Sequence, residues 1–592
     1  MNIKNESVVY LSGKVWEYSK GNRHNLILYI FLFICANAIN FLYPLIIGKL
    51  LNVIQESGIT NASMGTITIY LLIMVSLTAS FWAFHGPARV IELKNAFIVK
   101  VNYKKYLLDG TMALPADWHT THHSGDTIDK VNKGAEAIYR FSSSSYEVIE
   151  TVLRYIGSYI VLAYFNLPSS YIVLFATIIA VTTILRFDKY LIKKYKELNK
   201  LDNDISAKVF DVISNITTVI ILRIEKLLSK AIFKKLIAPL NFYVRTHKIS
   251  ETKWFLVSMI NAFMTVLVLY TYIHANLGNQ ILLGTVYILY GYVDRINGIF
   301  FRFAYKYGEI VRQRTDVANA EEISNEFRKK KKVKQIVLGH NWKELKIENL
   351  NFSYCTEEGS EEHLKNININ IKRGEKIAFI GESGSGKTTT MKVLRDLYHP
   401  KNISLYLNGI LLKDGFSAIS DSISLIPQEP EIFESTIKEN ITLGQNIDMN
   451  KIKKYTNMAE FTNVVQRLPK KFESSIHEKG VNLSGGEKQR LALSRGLIAS
   501  EDKAIVLLDE PTSSVDTKNE LKIYQNIFQN FKDKTIIASV HRLHMLSLFN
   551  RIYFFSKSEI ITSGTFDSLL RNSKEFMDVW RKYQKTKESE KS

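Results

Sequence analysis

The run Gly381-Glu382-Ser383-Gly384-Ser385-Gly386-Lys387-Thr388 carries the clearest chemistry in the chain. Its glycines let the backbone turn tightly, so that successive amides point inward at phosphate oxygens, and a following helix N-terminus adds positive potential. The context is the one such a loop requires: strand-like Lys376 to Ile380 precedes it, and a helical stretch from Thr389 to Leu397 follows. Lys387 would neutralise β- and γ-phosphate charge, and the Thr388 hydroxyl would ligate Mg2+. A second constellation is the apolar strand Ala504 to Leu508, which ends in Asp509 and Glu510. Asp509 at the strand tip can hold Mg2+, while Glu510 beside it can polarise an attacking water as general base. Together they predict a nucleotide site that works with Mg2+.

The elements that must position these groups occupy less than half of the chain. It has 592 residues, a formal charge of +20 and 46% hydrophobic residues, which predicts several domains and excludes a mainly disordered protein. Two isolated cysteines, Cys35 and Cys355, cannot build a disulfide scaffold or a cysteine-rich metal site. Six apolar runs precede the soluble part: Leu26 to Gly48, Thr66 to Phe84, Ile149 to Phe165, Ser170 to Leu185, Trp254 to Ile273 and Gln280 to Phe303. They are read as membrane spans, apolar on every face, with Pro44 tolerated in the first because neighbouring helices can re-satisfy a freed carbonyl. Lys and Arg crowd the N-terminal segment and the two long connections, His85 to Val148 and Arg186 to Lys253, and are missing from the three short loops. The long connections and both termini therefore face the cytoplasm. The basic charge is inner-face charge that touches anionic lipid, and nucleic acid is not expected as a partner.

Each long connection reads as helical with a break near its middle, at Leu114 to His119 and around Ile213 to Glu225, as if two helices projected inward and turned at a short crosspiece. His119, His122 and His123 share a helix face, but no carboxylate or cysteine completes a ligand set, so a polar turn explains them. After the sixth span come a basic linker and then alternating apolar segments from Trp342. The expected division is a transmembrane domain over 1–328, a linker over 329–341 and an α/β domain over 342–592, with a frayed tail from Lys585. The fold class is thus a membrane α-helical bundle of six spans joined to an α/β P-loop NTPase domain.

With Leu483-Ser484-Gly485-Gly486-Glu487 standing just before the carboxylate strand, the sequence resembles the ATP-binding cassette family. The resemblance implies further roles. Tyr354 matches the aromatic residue that stacks on adenine, Gln428 the sensor of Mg2+ and water, and His541 the histidine that contacts γ-phosphate. Ser514 and Asp516 match the loop that contacts a second cassette. In this family the signature of one subunit covers the ATP held by the phosphate loop of the other. The resemblance therefore implies a second half-transporter as partner, with a homodimer favoured because no motif is degraded, and the crosspieces near Asp117 and Ile220 correspond by position to coupling helices. Departures are small: Glu487 stands where Gln is commoner, and Thr388-Thr389 replaces Ser-Thr. None removes a needed functional group.

Six spans followed by one cassette resembles an exporter-type half-transporter, which implies an ATP-hydrolysing exporter or flippase of an amphipathic or lipophilic substrate such as a lipid, drug or small peptide. An ATP-gated channel or a regulatory membrane ATPase is the alternative. Counting inward from the outer ends, Arg154 lies about 17 Å deep and Asp294 about 22 Å, so the two could meet. Glu150, Arg154, Asp294 and Arg295 are expected to line a central cavity with Tyr287, Tyr290 and Phe300, or else to form an interhelical ion pair that supports packing. The Lys, Ile and Asn bias suggests a coding sequence rich in A and T, and the single-cassette layout without a targeting presequence points to a bacterial inner membrane, with a eukaryotic organelle as the alternative.

Overall fold

The computed structural model describes residues 7–122, 124–329, 333–356, 359–429, 431–476 and 483–589. The chain divides into two compact units, Met1–Leu114 with His122–Lys329, and Pro115–Thr121 with Lys330–Ser592. Among the described residues the first unit is built of helices: α1 (Ser7–Tyr18), α2 (Arg23–Phe41), α3 (Tyr43–Ser57) and α4 (Asn61–Met112). The six-residue α5 (Ala116–Thr121) falls in the second unit. Helices α6 (Ser124–Ser143), α7 (Ser145–Phe165), α8 (Leu167–Ser214), α9 (Ile216–Leu222), α10 (Glu225–Ile237), α11 (Leu240–Ala275) and α12 (Leu283–Lys329) complete the first. Helices α4, α8 and α12 have 52, 48 and 47 residues, or about 70 to 80 Å, more than twice a hydrocarbon core. The two expected crosspieces are the short helices α5 and α9. His123, one of the three clustered histidines, lies outside the described residues.

Among the described residues five stretches are long and apolar enough to cross a membrane: Arg23–Ser57, Asn61–Met112, Ser124–Phe165, Leu167–Asp202 and Glu225–Ala275. They contain the first five expected spans. The sixth, expected at Gln280 to Phe303, falls in α12, which begins at Leu283 and is not among the sufficiently apolar helices. Asp294, Arg295, Arg302 and its tyrosines dilute its hydropathy. It is held by other means. A Cβ on Gly284 would stand 1.8 Å from the Gly48 carbonyl oxygen, so α12 and α3 touch backbone to backbone. Two of the orphan amides at the start of α12 are met from α3: Gly284 N donates to Asn52 Oδ1 (2.8 Å) and Leu283 N to Gln55 Oε1 (2.7 Å).

The first span also differs from the single helix expected over Leu26 to Gly48. It breaks at Leu42, between α2 and α3, with Pro44 in the first turn of α3. The reason is covalent: Pro44 has no N–H, and its ring crowds the carbonyl four residues back, that of Asn40. That carbonyl accepts from Arg295 Nη2 (2.9 Å), and the next one, Phe41 O, from the Tyr292 hydroxyl (2.7 Å). One face of α12 therefore satisfies the break. The core of this unit joins Leu162, Val173, Ala180, Val257, Met264, Val268, Leu289, Val293 and Ile296 from α7, α8, α11 and α12. Below it, Lys253 Nζ of α11 reaches Asp188 Oδ1 of α8 at 2.8 Å, both side chains only 6% exposed.

In the second unit, β1 (Glu344–Thr356), β2 (Gly359–Lys372), β4 (Asn402–Leu407) and β5 (Ile410–Leu411) form an antiparallel sheet in the order β2-β1-β4-β5. A six-stranded sheet runs β10-β9-β3-β8-β7-β6, from β3 (Lys376–Gly381), β6 (Ile423–Ile426), β7 (Ile505–Asp509), β8 (Thr535–Ser539), β9 (Arg551–Ser556) and β10 (Glu559–Gly564). Only the β9–β10 pair in it is antiparallel. Strands β7 and β8 are buried at every residue because each face meets a different core. Val506, Leu508, Ile536 and Ala538 point to one core, and Ile505, Leu507 and Ile537 to the other. The helices are α13 (Lys387–Leu394), α14 (Ile437–Thr442), α15 (Met449–Met458), α16 (Thr462–Arg467), α17 (Gly485–Ala499), α18 (Thr517–Asn530), α19 (Phe566–Asn572) and α20 (Lys574–Ser589).

The segment expected as a free linker, 329–341, does not behave as one. Lys329 ends α12, residues 330–332 lie outside the described residues, and the rest is stitched to the α/β unit. Ile336 N donates to Ala418 O (2.7 Å) and Leu338 N to Ser422 Oγ (2.9 Å), and Leu338 is buried with Trp342 in the core. Leu338 ends the short apolar run Ile336-Val337-Leu338 and is the member of it that is buried, while Ile336 and Val337 stay exposed. The tail expected to fray from Lys585 continues α20 to Ser589.

Candidate nucleotide site

Strand β3 delivers the chain to Gly381, and α13 takes it up at Lys387, with Gly386 between them at φ +104°, a conformation that strains any side chain. Lys387 is 4% exposed, and its Nζ donates to the carbonyls of Gly381 and Glu382, both at 2.9 Å, which draws the loop around the ammonium. Burial pulls its pKa down, against the opposite pull of Glu510 and Asp509. Inside the same loop Ser385 Oγ is buried without a hydrogen-bond partner among the described residues. A buried hydroxyl with an unmet donor, beside an ammonium and a helix N-terminus, suits an anion.

The carboxylate strand meets this loop from the side. Thr388 Oγ1 donates to Asp509 Oδ1 (3.0 Å), as expected for two groups meant for one cation. Asp509 is 3% exposed; burial pushes its carboxyl up, while the Thr388 hydroxyl holds it down. Glu510, at φ +45°, turns away from the strand line. Gln428 Nε2, just past β6, donates to its Oε2 (2.6 Å), and His541 Nε2, just past β8, is in close hydrogen-bond contact with its Oε1. Parallel pairing of β6, β7 and β8 puts these three residues at the same edge of the sheet, as Ile426 pairs with Leu508 and Asp509 with Ser539. The donor set of Thr388 hydroxyl, Asp509 carboxylate and Gln428 amide is hard oxygen throughout, which fits Mg2+.

Other predicted residues join more loosely. Tyr354, on β1, packs edge-on against Phe352, Tyr398 and His363, with centroids 4.8, 5.2 and 4.7 Å away. A Cβ on Gly386 would come within 3.2 Å of the His363 carbonyl, so this aromatic group sits next to the phosphate loop. Thr389 continues α13, and Glu382, Ser383 and Gly384 are the tip of the loop.

The signature forms a separate cluster. Ser484 caps α17: Glu487 N donates to its Oγ (3.3 Å), and Ser484 N donates back to Glu487 Oε2 (2.9 Å). Leu483 is buried beneath it. A Cβ on Gly486 would land 2.6 Å from the Ser514 carbonyl oxygen, so the close approach needs glycine. Among the described residues no hydrogen bond links Ser484, Gly485 or Gly486 to the phosphate loop of the same chain. Asp516 caps α18, accepting from Asn519 N (3.0 Å) and Nδ2 (2.7 Å).

Three supports were not foreseen. Gln489 donates to Ser513 Oγ (2.7 Å) and the Gln428 carbonyl (3.3 Å) and accepts from Ser514 N (2.8 Å), joining α17 to the loops after β6 and β7. Glu520, 6% exposed, accepts from Thr512 Oγ1 (2.9 Å) and Arg542 Nη1 (2.7 Å), bracing the turn after Glu510. Ser539 Oγ lies 3.5 Å from Glu510 Oε1. Position beside a motif residue was the only available signal, as for Arg542 next to His541.

Among the described residues Arg154 and Asp294 are not paired, and one ion pair that joins α7 to α12 is that of Glu150 with Arg302. Arg154 pairs with Glu150 on its own helix (2.5 Å), Glu150 also takes Arg302 (3.2 Å), and Arg295 is bound to the Asn40 carbonyl. Asp294 is exposed and forms none of these bridges. Phe300, expected in the cavity lining, is 2% exposed in the core.

Comparison with known proteins agrees with this architecture. The ABC transporter transmembrane region family matches residues 26–293 and the ABC transporter family matches residues 364–513. The mitochondrial iron-sulfur clusters transporter ATM1 of Candida glabrata is 25% identical over 88% of this chain and 74% of its own. An ATP-dependent lipid A-core flippase of Pseudoalteromonas translucida is 36% identical over 39% of this chain and 39% of its own length. ABC transporter B family member 21 of Arabidopsis thaliana is 31% identical over 42% of this chain, which spans only 19% of that protein. A solved bacterial Atm1-family ABC exporter with ATP bound superposes with a TM-score of 0.82 at 19% identity, covering 95% of this chain and 99% of the other. With both family regions in one polypeptide, on an exporter-type fold, the chain belongs to the ABC transporter family.

Proposed function

We propose that two copies of this chain form an ATP-driven exporter or flippase for an amphipathic or lipophilic substrate, in a bacterial inner membrane with the termini in the cytoplasm. The observation that carries the reading is Glu510, held between Gln428 and His541 at the edge where Thr388 meets Asp509. A cassette that bound nucleotide without hydrolysing it would have no use for this arrangement. Thr388, Asp509 and Gln428 would hold Mg2+, which supplies charge neutralisation on the β- and γ-phosphates. Lys387 turns its ammonium from the Gly381 and Glu382 carbonyls to phosphate oxygens, and Tyr354 stacks on adenine. Glu510 accepts the proton of the attacking water, with the Gln428 amide and His541 fixing the carboxylate and the γ-phosphate.

Ser484 and the Gly485 and Gly486 amides, at the exposed start of α17, act on ATP held by a second copy, with Ser514 and Asp516 at the contact. Loss of the γ-phosphate removes those contacts and lets the cassettes part. In the membrane, Glu150 and Arg154 with Asp294 and Tyr290 offer polar groups to a substrate headgroup.

Uptake of labelled lipids, drugs or peptides into inside-out vesicles, native against Glu510→Gln, tests the reading. Glu510→Gln should bind ATP and lower turnover by about 10²- to 10⁴-fold. Steady ATP turnover with no ATP-dependent movement of any candidate overturns transport in favour of a regulatory ATPase or gated channel.

A further inference from the structure

The hydroxyl of Ser484 has a single hydrogen. In this structure Ser484 Oγ accepts from Glu487 N and stands 3.0 Å from Glu487 Oε2, and Ser484 N donates to that same oxygen at 2.9 Å. An ionised carboxylate only accepts, so both hydrogens Ser484 could offer a phosphate are taken up by Glu487. A glutamine would cap the helix equally well, yet its amide could donate to Oγ and leave the hydroxyl hydrogen free. The second carboxylate oxygen, Oε1, is held by Arg467 Nη2 at 2.9 Å. Arg467 comes from the end of α16, not from the signature helix, and its side chain is 69% exposed while that of Glu487 is 19% exposed. The carboxyl of Glu487 sits below its ordinary range: burial pushes it up, but Ser484 and the two arginines Arg467 and Arg490 outweigh that, so it carries charge at neutral pH.

We infer that Glu487 is a built-in competitor for the Ser484 hydroxyl, and that Arg467 is the positioning residue that offsets its charge and so weakens its hold on Ser484, which can then turn to a nucleotide phosphate. The inference rests on the reading that Ser484 meets ATP held by a second copy. A bare carboxylate at this place would repel the incoming phosphate as well as occupy its donor. Arg467 offsets the first effect through one short ion pair and, by drawing negative charge toward Oε1, makes Oε2 a weaker acceptor for Ser484.

The test is a double-mutant cycle on ATPase activity of the full chain reconstituted in lipid vesicles. Glu487→Gln should lower KM for ATP about fivefold, an effect on KM more than on kcat, since it acts on nucleotide binding. Arg467→Ala should raise KM about fivefold in the native background and by less than about twofold when residue 487 is Gln. Arg467→Lys should keep part of the effect. At about 1 M salt, where the screening length falls to about 3 Å, the difference between Arg467 and Ala should shrink. ATP-dependent pairing of the Glu510→Gln protein is measured alongside. Pairing together with an Arg467→Ala effect of equal size in both backgrounds overturns this inference alone, as does a higher KM for Glu487→Gln. Absence of pairing overturns the reading of the site and the inference with it.

Discussion

Pro44 and Arg295 should be energetically coupled, although neither side chain forms a hydrogen bond to the other. Arg295→Ala removes a charged donor from the Asn40 carbonyl, at a cost of about 1.5 to 3 kcal/mol, because that carbonyl then keeps only the Leu42 amide, which it shares with Ile39 O. Its normal partner would be the amide at position 44, which proline lacks. Pro44→Ala restores that N–H, so the carbonyl has a local donor and the loss of Arg295 becomes cheaper. The expected coupling is about 1 to 2 kcal/mol. Tyr292→Phe is the control: it removes the bond to Phe41 O, whose helical partner is not residue 44, so its cost of about 1 kcal/mol should persist in either background. The measurement is thermal unfolding of the purified full chain in detergent, with a drop of about 4 °C for Arg295→Ala and about half that when Pro44 is also Ala. Equal losses for Arg295→Ala with and without Pro44 would refute the account of the break.

In the cassette, Gly486→Ala should abolish ATP turnover while leaving nucleotide binding at the phosphate loop, because the added methyl meets the Ser514 backbone and pushes α17 from the loop after β7; turnover against nucleotide affinity checks it. Asp188→Ala should destabilise the membrane unit by about 3 to 5 kcal/mol, since it leaves Lys253 buried and unpaired, whereas Asp188→Leu with Lys253→Met should recover most of the loss in unfolding assays. Asp516→Ala should remove about 1 kcal/mol through the lost cap of α18. The amides of Asn519 hold the Asp516 carboxyl below its ordinary range, so the cap's contribution is present above that range and fades as pH falls through the lowered folded-state pKa; a flatter acid limb for Asp516→Asn in cassette unfolding checks the sign.

Apolar runs and short motifs were legible in the sequence because each depends on local chemistry. A phosphate loop needs only its own glycines and the strand before it, and a span needs only length. What could not be read is which distant group answers a local defect. Pro44 shows that the Asn40 carbonyl loses its partner, and this follows from the covalent structure of proline alone. That Arg295, 255 residues later, supplies the replacement depends on how α3 and α12 pack, and that packing turns on Gly48 and Gly284. The same donor explains why Arg295 was placed in a cavity: a charge at membrane depth invites a functional reading until its partner is seen to be backbone. The linker misled in the opposite sense, since the short apolar run Ile336 to Leu338 was outweighed by the basic run Arg328 to Lys332 before it.

The nucleotide site divides along the same line. Strand order brings Gln428, Glu510 and His541 to one edge, and the parallel register of β6, β7 and β8 does this without any of the three contributing to the fold's stability in an obvious way. Their roles were therefore legible only as a set of motifs in a fixed order. The supports were not legible, because nothing in the sequence marks Gln489 and Glu520 as buried polar helix residues, or Arg542 as the partner of Glu520, until the contacts are seen. Gln489 is the most instructive, since one side chain joins the loop after β6, the loop after β7 and the signature helix. A site whose reacting groups sit on three loops needs such a brace: loops alone would not hold Glu510 and Ser514 in fixed relation, and the two-sided amide of glutamine can donate and accept at once.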